Sequence, residues 1–307
     1  MEQPFVVAFI VLVAAGVLAR RATPALRRSA AHAHARRIDL RLEPADEDAV
    51  ATRLARRTCA GVLAGAALGV LTAVVLGRSG VEDFGWSPTW LSFLAFFLGT
   101  ALGSAGVAWY ESSRPLAAGP RVARATVPSH ADYVPRVERW GARAMAVLSA
   151  LVALGLVVLD GTGLVELGDL PGALVAVTIV GPALAVLADE LAARWLIGRR
   201  QVAASPLALA WDDALRAGTL RDSVTVAICA SAFAPFVLLG VVGDGLEGGW
   251  PANPGVGVIT GAFLVLLLVL VGVGIASLAV QPEKHFRRRL WSVGTPGAAE
   301  VAIGGAR

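Results

Sequence analysis

The sequence predicts an all-α polytopic transmembrane helix bundle of about seven spans, and three observations predict it. Seven strongly apolar runs approach the roughly 20 residues that a membrane crossing needs. Every Lys and Arg except Arg78 falls in Arg20–Arg57, Arg114–Arg143, Arg194–Arg221 or Lys284–Arg307, segments that alternate with those runs. Asp and Glu dominate the connections in between. Composition agrees: 16% of residues are charged and the mean hydropathy is +0.68, where a soluble domain carries about 25% charged residues.

In chain order the expected spans are Phe5–Ala19, Cys59–Leu76, Trp90–Tyr110, Ala144–Leu159, Leu170–Ala188, Val224–Val242 and Val256–Val280. The first and fourth runs are short and need flanking residues. Pro4 suits the opening turn of a helix, and Arg143 can bury its stem while its head reaches the interface. The stretch before the first run carries Glu2 and no Lys or Arg, so a cleaved signal peptide is not expected. Lys and Arg beside helix ends stay cytoplasmic. The expected location is the cell membrane, with the N-terminus outside and the C-terminus in the cytoplasm.

The outer connections, Gly77–Thr89, Asp160–Asp169 and Gly243–Gly255, read as tight turns. Trp86, Trp90 and Trp250 stand where an aromatic belt would lie. The expected organisation is a leading helix (1–19), an Arg-rich cytoplasmic segment (20–58), a six-helix region (59–280) and a cytoplasmic tail (281–307). Cytoplasmic segments at 111–143 and 189–223 interrupt the six-helix region.

The second, fourth and sixth spans begin about 80 residues apart, each opening a hairpin with an acidic outer turn. Three parallel hairpin repeats after one leading helix would produce this spacing, as in several transporter folds. Shifting by about 80 residues aligns Arg114 with Arg194, Asp132 with Asp212 and Arg136 with Arg216. In each unit the Asp and Arg stand four apart, so on a helix they would share a face.

The inner segments are expected to hold short helices. Ser205-Pro206 resembles an N-cap leading into Leu207–Ala217, and Ser129 suits a capped turn through Tyr133. Asp46–Arg57, acids first and arginines last as a helix dipole favours, should run on into the second span. Thr23–Arg37 reads as flexible or as lying on lipid headgroups. The tail beyond Trp291 reads as disordered.

Few residues carry recognisable chemistry. No ionisable residue falls deep in an expected span, which argues against a proton-coupled transporter. Glu111 with Arg114, and Asp189 and Glu190 with Arg194, are expected as ion pairs at helix ends. Together with Asp132, Arg136, Asp212, Asp213 and Arg216 they form the candidate cytoplasmic interaction set. Gly61, Gly65 and Gly69, Gly99 and Gly103, and Gly257 and Gly261 form small-xxx-small stripes. These are expected to pack helices within the chain, with oligomer formation through the same faces as the alternative. Pro182 and Pro235 are expected to kink their helices, with Thr178, Thr225 and Ser231 as nearby hydroxyls.

His32 and His34 lack the further ligands that zinc needs and read as part of a solvated loop. Cys59 and Cys229 read as small buried hydrophobes. No phosphate-binding Gly-rich loop, nucleophile elbow or H-E-x-x-H is present. No catalytic residue, cofactor or metal is therefore expected. A basic pI of 9.8 would suit nucleic acid only with aromatics to stack on, and the basic loops contain few. Membrane lipids are the expected surface partner.

Asp132-Tyr133-Val134-Pro135-Arg136 and Trp211-Asp212-Asp213-Ala214-Leu215-Arg216 resemble stretches of uncharacterised multi-pass integral membrane proteins of high-GC actinobacteria. The resemblance implies a multi-pass fold and no assigned activity. Two functions follow as expectations. One is a permease-like or accessory subunit working with a cytoplasmic partner. The other is an intramembrane lipid- or isoprenoid-modifying enzyme that would use Glu111, Asp189, Glu190, Asp212 and Asp213. A seven-helix receptor rests on helix count alone and ranks last.

Overall fold

The computed structural model describes residues 2–78, 88–113, 127–165, 167, 170–199, 201, 203, 205–244, 246 and 253–292. No strand occurs among them, and seven helices are long and apolar enough to cross a membrane. The chain is an all-α polytopic bundle. Its long helices are α1 (Glu2–Ala22), α3 (Glu47–Arg78), α4 (Pro88–Ser113), α6 (Arg136–Gly161), α7 (Gly172–Gly198), α8 (Pro206–Asp244) and α9 (Pro254–Ala279). Three short ones, α2 (Pro24–Ile38), α5 (His130–Tyr133) and α10 (His285–Leu290), gather at the basic ends of these spans.

Helix length explains the architecture. At 1.5 Å per residue α3, with 32 residues, is about 48 Å long, and α8, with 39, is about 58 Å. A bilayer core is about 30 Å thick. Because their apolar runs end at the acidic side, the excess of both helices projects from the basic side. The continuous α3 agrees with the expected run of Asp46–Arg57 into the second span. The separate helix expected over Leu207–Ala217 does not exist; no breaker separates it from the sixth span, so it forms the first turns of α8.

The projecting turns build a second core. Ile38 and Leu40 from the α2 side, Tyr133 and Val134, Leu207 and Trp211, and Phe286 and Trp291 are buried together there. Burial from water stabilises a large apolar side chain by about 1.5–3 kcal/mol. Within lipid that transfer term vanishes, and helices associate through close packing and hydrogen bonds instead. The chain therefore combines two kinds of stabilisation. A separate apolar core, including Met145, Phe236, Leu239, Ile259 and Leu266, joins α6, α8 and α9 within the apolar runs.

Thr23–Arg37 is thus not a loose segment. Pro24 occupies the first turn of α2, and Ala31, Ala35 and Ile38 form its buried stripe. The helix ends at Asp39, whose φ of 56° is left-handed, a conformation that Asp tolerates better than most residues. Arg287 on α10 grips Asp39 through both its backbone carbonyl and its carboxylate. His32 faces Glu47 at 3.1 Å, and His34 packs against Trp211. Neither histidine lies in a loop, because the Ala-rich segment buries a helical stripe that composition alone did not locate.

The glycine stripes of α3 and α4 meet each other. A Cβ at Gly61 would lie 2.9 Å from the Thr100 carbonyl oxygen, and one at Gly65 would lie 2.7 Å from that of Phe96. Across the contact, a Cβ at Gly99 would lie 2.6 Å from the Ala64 oxygen and one at Gly103 2.3 Å from the Ala60 oxygen. Gly69 abuts the Ser92 oxygen and Ile10 of α1. These faces are occupied within the chain. Gly261 departs from expectation: a Cβ there meets nothing within 4 Å, so it supports no close helix approach. Gly141, which carried no motif, does, because its added Cβ would strike Val273 at 2.6 Å.

Pro182 and Pro235 lie inside unbroken helices. Proline leaves the carbonyl four residues earlier without its N–H partner. For Pro182 that carbonyl belongs to Thr178, and the Ser149 hydroxyl donates to it at 2.8 Å. The Thr178 hydroxyl donates to the Leu174 carbonyl of its own helix and approaches the Ala234 carbonyl of α8 at 3.4 Å. The Ser231 hydroxyl donates to the Ala227 carbonyl. Thr225 bonds back to Arg221.

Candidate functional site

The polar side chains converge at the basic end in three linked groups. The first is built on α8. Trp211, Asp212, Asp213 and Arg216 occupy successive faces of a helix whose buried stripe is held by the short helices. Asp213, fully buried, accepts from the Tyr133 hydroxyl at 2.8 Å, the Trp291 ring N–H at 2.9 Å and Gln201 at 2.7 Å. Asp212 accepts from Gln201 and from Arg216 Nε, the latter at 3.1 Å. Arg216 also donates to the carbonyls of Leu196 and Arg199 at the end of α7. Trp211 donates to the Arg41 carbonyl at 2.9 Å. One turn of α8 therefore ties together α7, α5, the segment after α2 and the segment after α10.

The second group lies between α3, α4 and α8. Arg53 Nε donates to Glu111 at 2.8 Å, and Arg57 Nε stands 3.6 Å from the same carboxylate. Arg57 also donates to the Thr219 hydroxyl at 2.9 Å. A pocket of about 270 Å³ opens beside it, lined among others by His34, Arg57, Ser104, Arg221, Asp222 and Glu283. Its two arginines face two carboxylates, so the lining is nearly charge-balanced. Burial pushes the His34 imidazole below its ordinary pKa, with the Arg37, Arg57 and Arg221 charges adding to the shift and Glu283 opposing it. The hydroxyls of Thr58 and Ser104 donate back to their own helices, so neither forms a nucleophile–base pair with His34.

The third group joins α6 to α8 and α9. Arg221 donates to both oxygens of the buried Glu138, at 3.1–3.3 Å, and Ser277 donates to Glu138 Oε1 at 2.6 Å. On the other face of α6, Arg143 pairs with Glu190 at 2.6 Å and stacks 5.0 Å from the Trp140 ring. Asp189 is buried with Ser223 beside it, and its Oδ1 has no hydrogen-bond partner.

The predicted site residues divide accordingly. Asp212 and Arg216 form the pair that their spacing implies. Asp132 and Arg136 do not. Pro135 separates α5 from α6, so the two never share a helix face, and Asp132 instead contacts Arg289 at 3.3 Å. Burial raises the Asp132 pKa, but the Ser129 N–H and hydroxyl and the Arg289 charge outweigh it and hold the carboxyl below its ordinary value. The expected capped turn at Ser129 is present.

Arg194 is exposed, and Glu190 takes Arg143 rather than Arg194. Glu111 takes Arg53 and Arg57. Arg114, Trp86, Trp250 and the tail from 293 lie outside the described residues. The structure also buries Arg57, Glu138, Asp189, Asp213 and Arg216, all of them outside the expected spans. The helices extend past the apolar runs, so charged residues assigned to loops lie on inward helix faces.

Arg57, Glu138, Tyr133, Gln201, Arg221 and Trp291 were missed as site residues. Glu138 had a signal, as the one acid among Arg136, Arg139 and Arg143. Gln201 and Trp291 had none. Among the described residues no group of three or more His, Cys, Asp or Glu side chains converges as metal ligands would. No family model, curated protein or solved structure matches the chain.

Proposed function

We propose that this chain is a permease-like or accessory membrane subunit that works with a partner at its basic end. The observation that supports this best is the folded helical layer there, with its own apolar core and the Trp211–Arg216 turn of α8 tying four other segments to it. Binding surfaces on rigid elements lose little entropy when a partner docks. The Lys and Arg sorting makes this end cytoplasmic, with the N-terminus outside. Reporter fusions after Arg28 and Arg289 should report cytoplasm, and one after Gly163 the outside.

The lipid- or isoprenoid-modifying alternative is weakened by the same contacts. Glu111, Glu190, Asp212 and Asp213 each already accept hydrogen bonds from side chains of the chain itself. Purification of the full chain from its own membranes in mild detergent should recover a stoichiometric second subunit. Asp212→Ala removes the carboxylate that Arg216 and Gln201 share and should reduce that recovery several-fold. A monodisperse chain alone, or recovery unaffected by Asp212→Ala, contradicts the proposal.

A further inference from the structure

A second cavity at the basic end has a lining of one sign. About 660 Å³ in volume, it lies between the start of α6, the end of α9 and α10. Arg136, Arg139, Arg288, Arg289 and His285 line it, and among the described residues no carboxylate does. We propose that this pocket binds a phosphate-class anion, carried either by the headgroup of an anionic phospholipid or by free phosphate. The inference rests on the pocket's own chemistry and stands apart from the accessory-subunit reading.

Among the described residues, three of the four guanidinium groups pair with no carboxylate, and only Arg289 does. Arg136 is exposed, and its side chain makes no hydrogen bond or ion pair among the described residues. Arg139 keeps its Nε buried without a hydrogen-bond partner. Arg289 reaches Asp132, but at 3.3 Å and with most of its side chain exposed. Arg287, the next basic residue, turns away to Asp39, and Glu138 turns away to Arg221 and Ser277. Four guanidinium groups around one cavity repel one another unless an anion sits between them. Phosphate oxygens suit such groups, because each guanidinium presents a planar fork of N–H donors.

The backbone works in the same direction. Pro135, Arg136 and Val137 bring the N-terminus of the 26-residue α6 to the pocket wall, and that end of a helix carries partial positive charge and free N–H donors. The end of α9 would offer the opposite, bare carbonyls. Arg288 covers them by donating to the carbonyls of Val280 and Gln281. His285 Nε2 lies 2.9 Å from the Ala131 carbonyl, so that nitrogen carries the proton.

Position favours a lipid as the carrier of the phosphate. Ala279 and Val280 at the end of α9 line the pocket, and Ile275 and Leu278 in the turn before them are apolar and 63% and 76% exposed. A headgroup phosphate among the arginines would leave its acyl chains along that face. Basic pockets between transmembrane helices hold lipid headgroups in this manner.

The test uses the full chain in neutral detergent micelles. Native mass spectrometry reads bound phosphatidylglycerol against phosphatidylcholine, and calorimetry reads inorganic phosphate. Arg136→Gln with Arg288→Gln removes two charges that support no other side chain. Arg20→Gln with Arg36→Gln removes two exposed charges elsewhere and serves as the control. Wild type should retain phosphatidylglycerol over phosphatidylcholine, and the pocket variant should bind it at least tenfold more weakly while the control matches wild type. Saturable phosphate binding that the pocket variant loses, without phospholipid selectivity, would assign the site to free phosphate. The inference is overturned if wild type binds neither probe, or if the pocket and control variants lose binding equally.

Discussion

Alanine at Gly103 should destabilise the bundle, while the same substitution at Gly261 should not. At Gly103 the new Cβ would lie 2.3 Å from the Ala60 carbonyl oxygen, 2.7 Å from the Ala64 Cβ and 2.8 Å from the Ala60 carbonyl carbon. Two of those three atoms are backbone, so no side chain can swing aside. Normal contact requires α3 and α4 to part by roughly 1 Å, and gaps of that size forfeit a quarter to a half of each dispersion contact along the seam.

Overpacking of this kind costs about 1–3 kcal/mol. Alanine returns up to about 1 kcal/mol through its better helix propensity. The propensity gain is common to both variants, so Gly103→Ala should be less stable than Gly261→Ala by about 1–3 kcal/mol. At Gly261 only the propensity gain applies, because the added Cβ meets nothing. Thermal or denaturant unfolding in one detergent, followed by circular dichroism, separates the two. A Gly103→Ala variant as stable as Gly261→Ala would refute the α3–α4 seam as described.

Three further outcomes follow from the contacts at the basic end. Asp213→Ala removes the buried acceptor that the hydroxyl of Tyr133, the ring N–H of Trp291 and the amide of Gln201 share and should cost about 1–3 kcal/mol; loss of a native tryptophan fluorescence signal would register it. Glu138→Ala strands Arg221 in a largely buried pair and should cost about 3–5 kcal/mol, whereas Glu190→Ala breaks a half-exposed pair worth about 1 kcal/mol or less; unfolding midpoints measured side by side should differ accordingly.

Burial lowers the His130 pKa to about 4, with the Arg139 and Arg143 charges reinforcing the shift and Glu190 opposing it. Its Nε2 is buried without a partner. The unfolded chain then binds the extra proton first. Stability from this group is complete above an ordinary histidine value of about 6.5 and is lost as pH falls towards 4. His130→Gln should flatten that part of the pH–stability curve; an unchanged slope contradicts the assignment.

The sequence made the membrane-spanning half legible, and physical reasons explain why. Apolar runs such as Val256–Val280 need no partner information to be recognised, because lipid itself selects them. The Gly61, Gly65 and Gly69 stripe could be recognised as a packing face because small residues four apart have one packing use, whereas its meeting with Gly99 and Gly103 came only from the fold. The basic end was less legible, since its order depends on contacts between distant segments. Trp291 lies in a polar tail and Gln201 in a loop, and only folding brings both to Asp213. Pro135 should have warned that Asp132 and Arg136 lie on different helices. A four-residue spacing signals a pair only within one helix.

The central claim is that the basic end is a folded helical layer rather than a set of loops. Amide hydrogen exchange of the full chain in neutral detergent tests it most directly. The amides of Ala31–Ile38 on α2 and of Trp211–Asp222 on α8 should exchange orders of magnitude more slowly than an unstructured chain, because they are hydrogen-bonded within helices buried against one another. Exchange of these segments at the rate of free peptide, with the apolar spans still protected, would contradict the account.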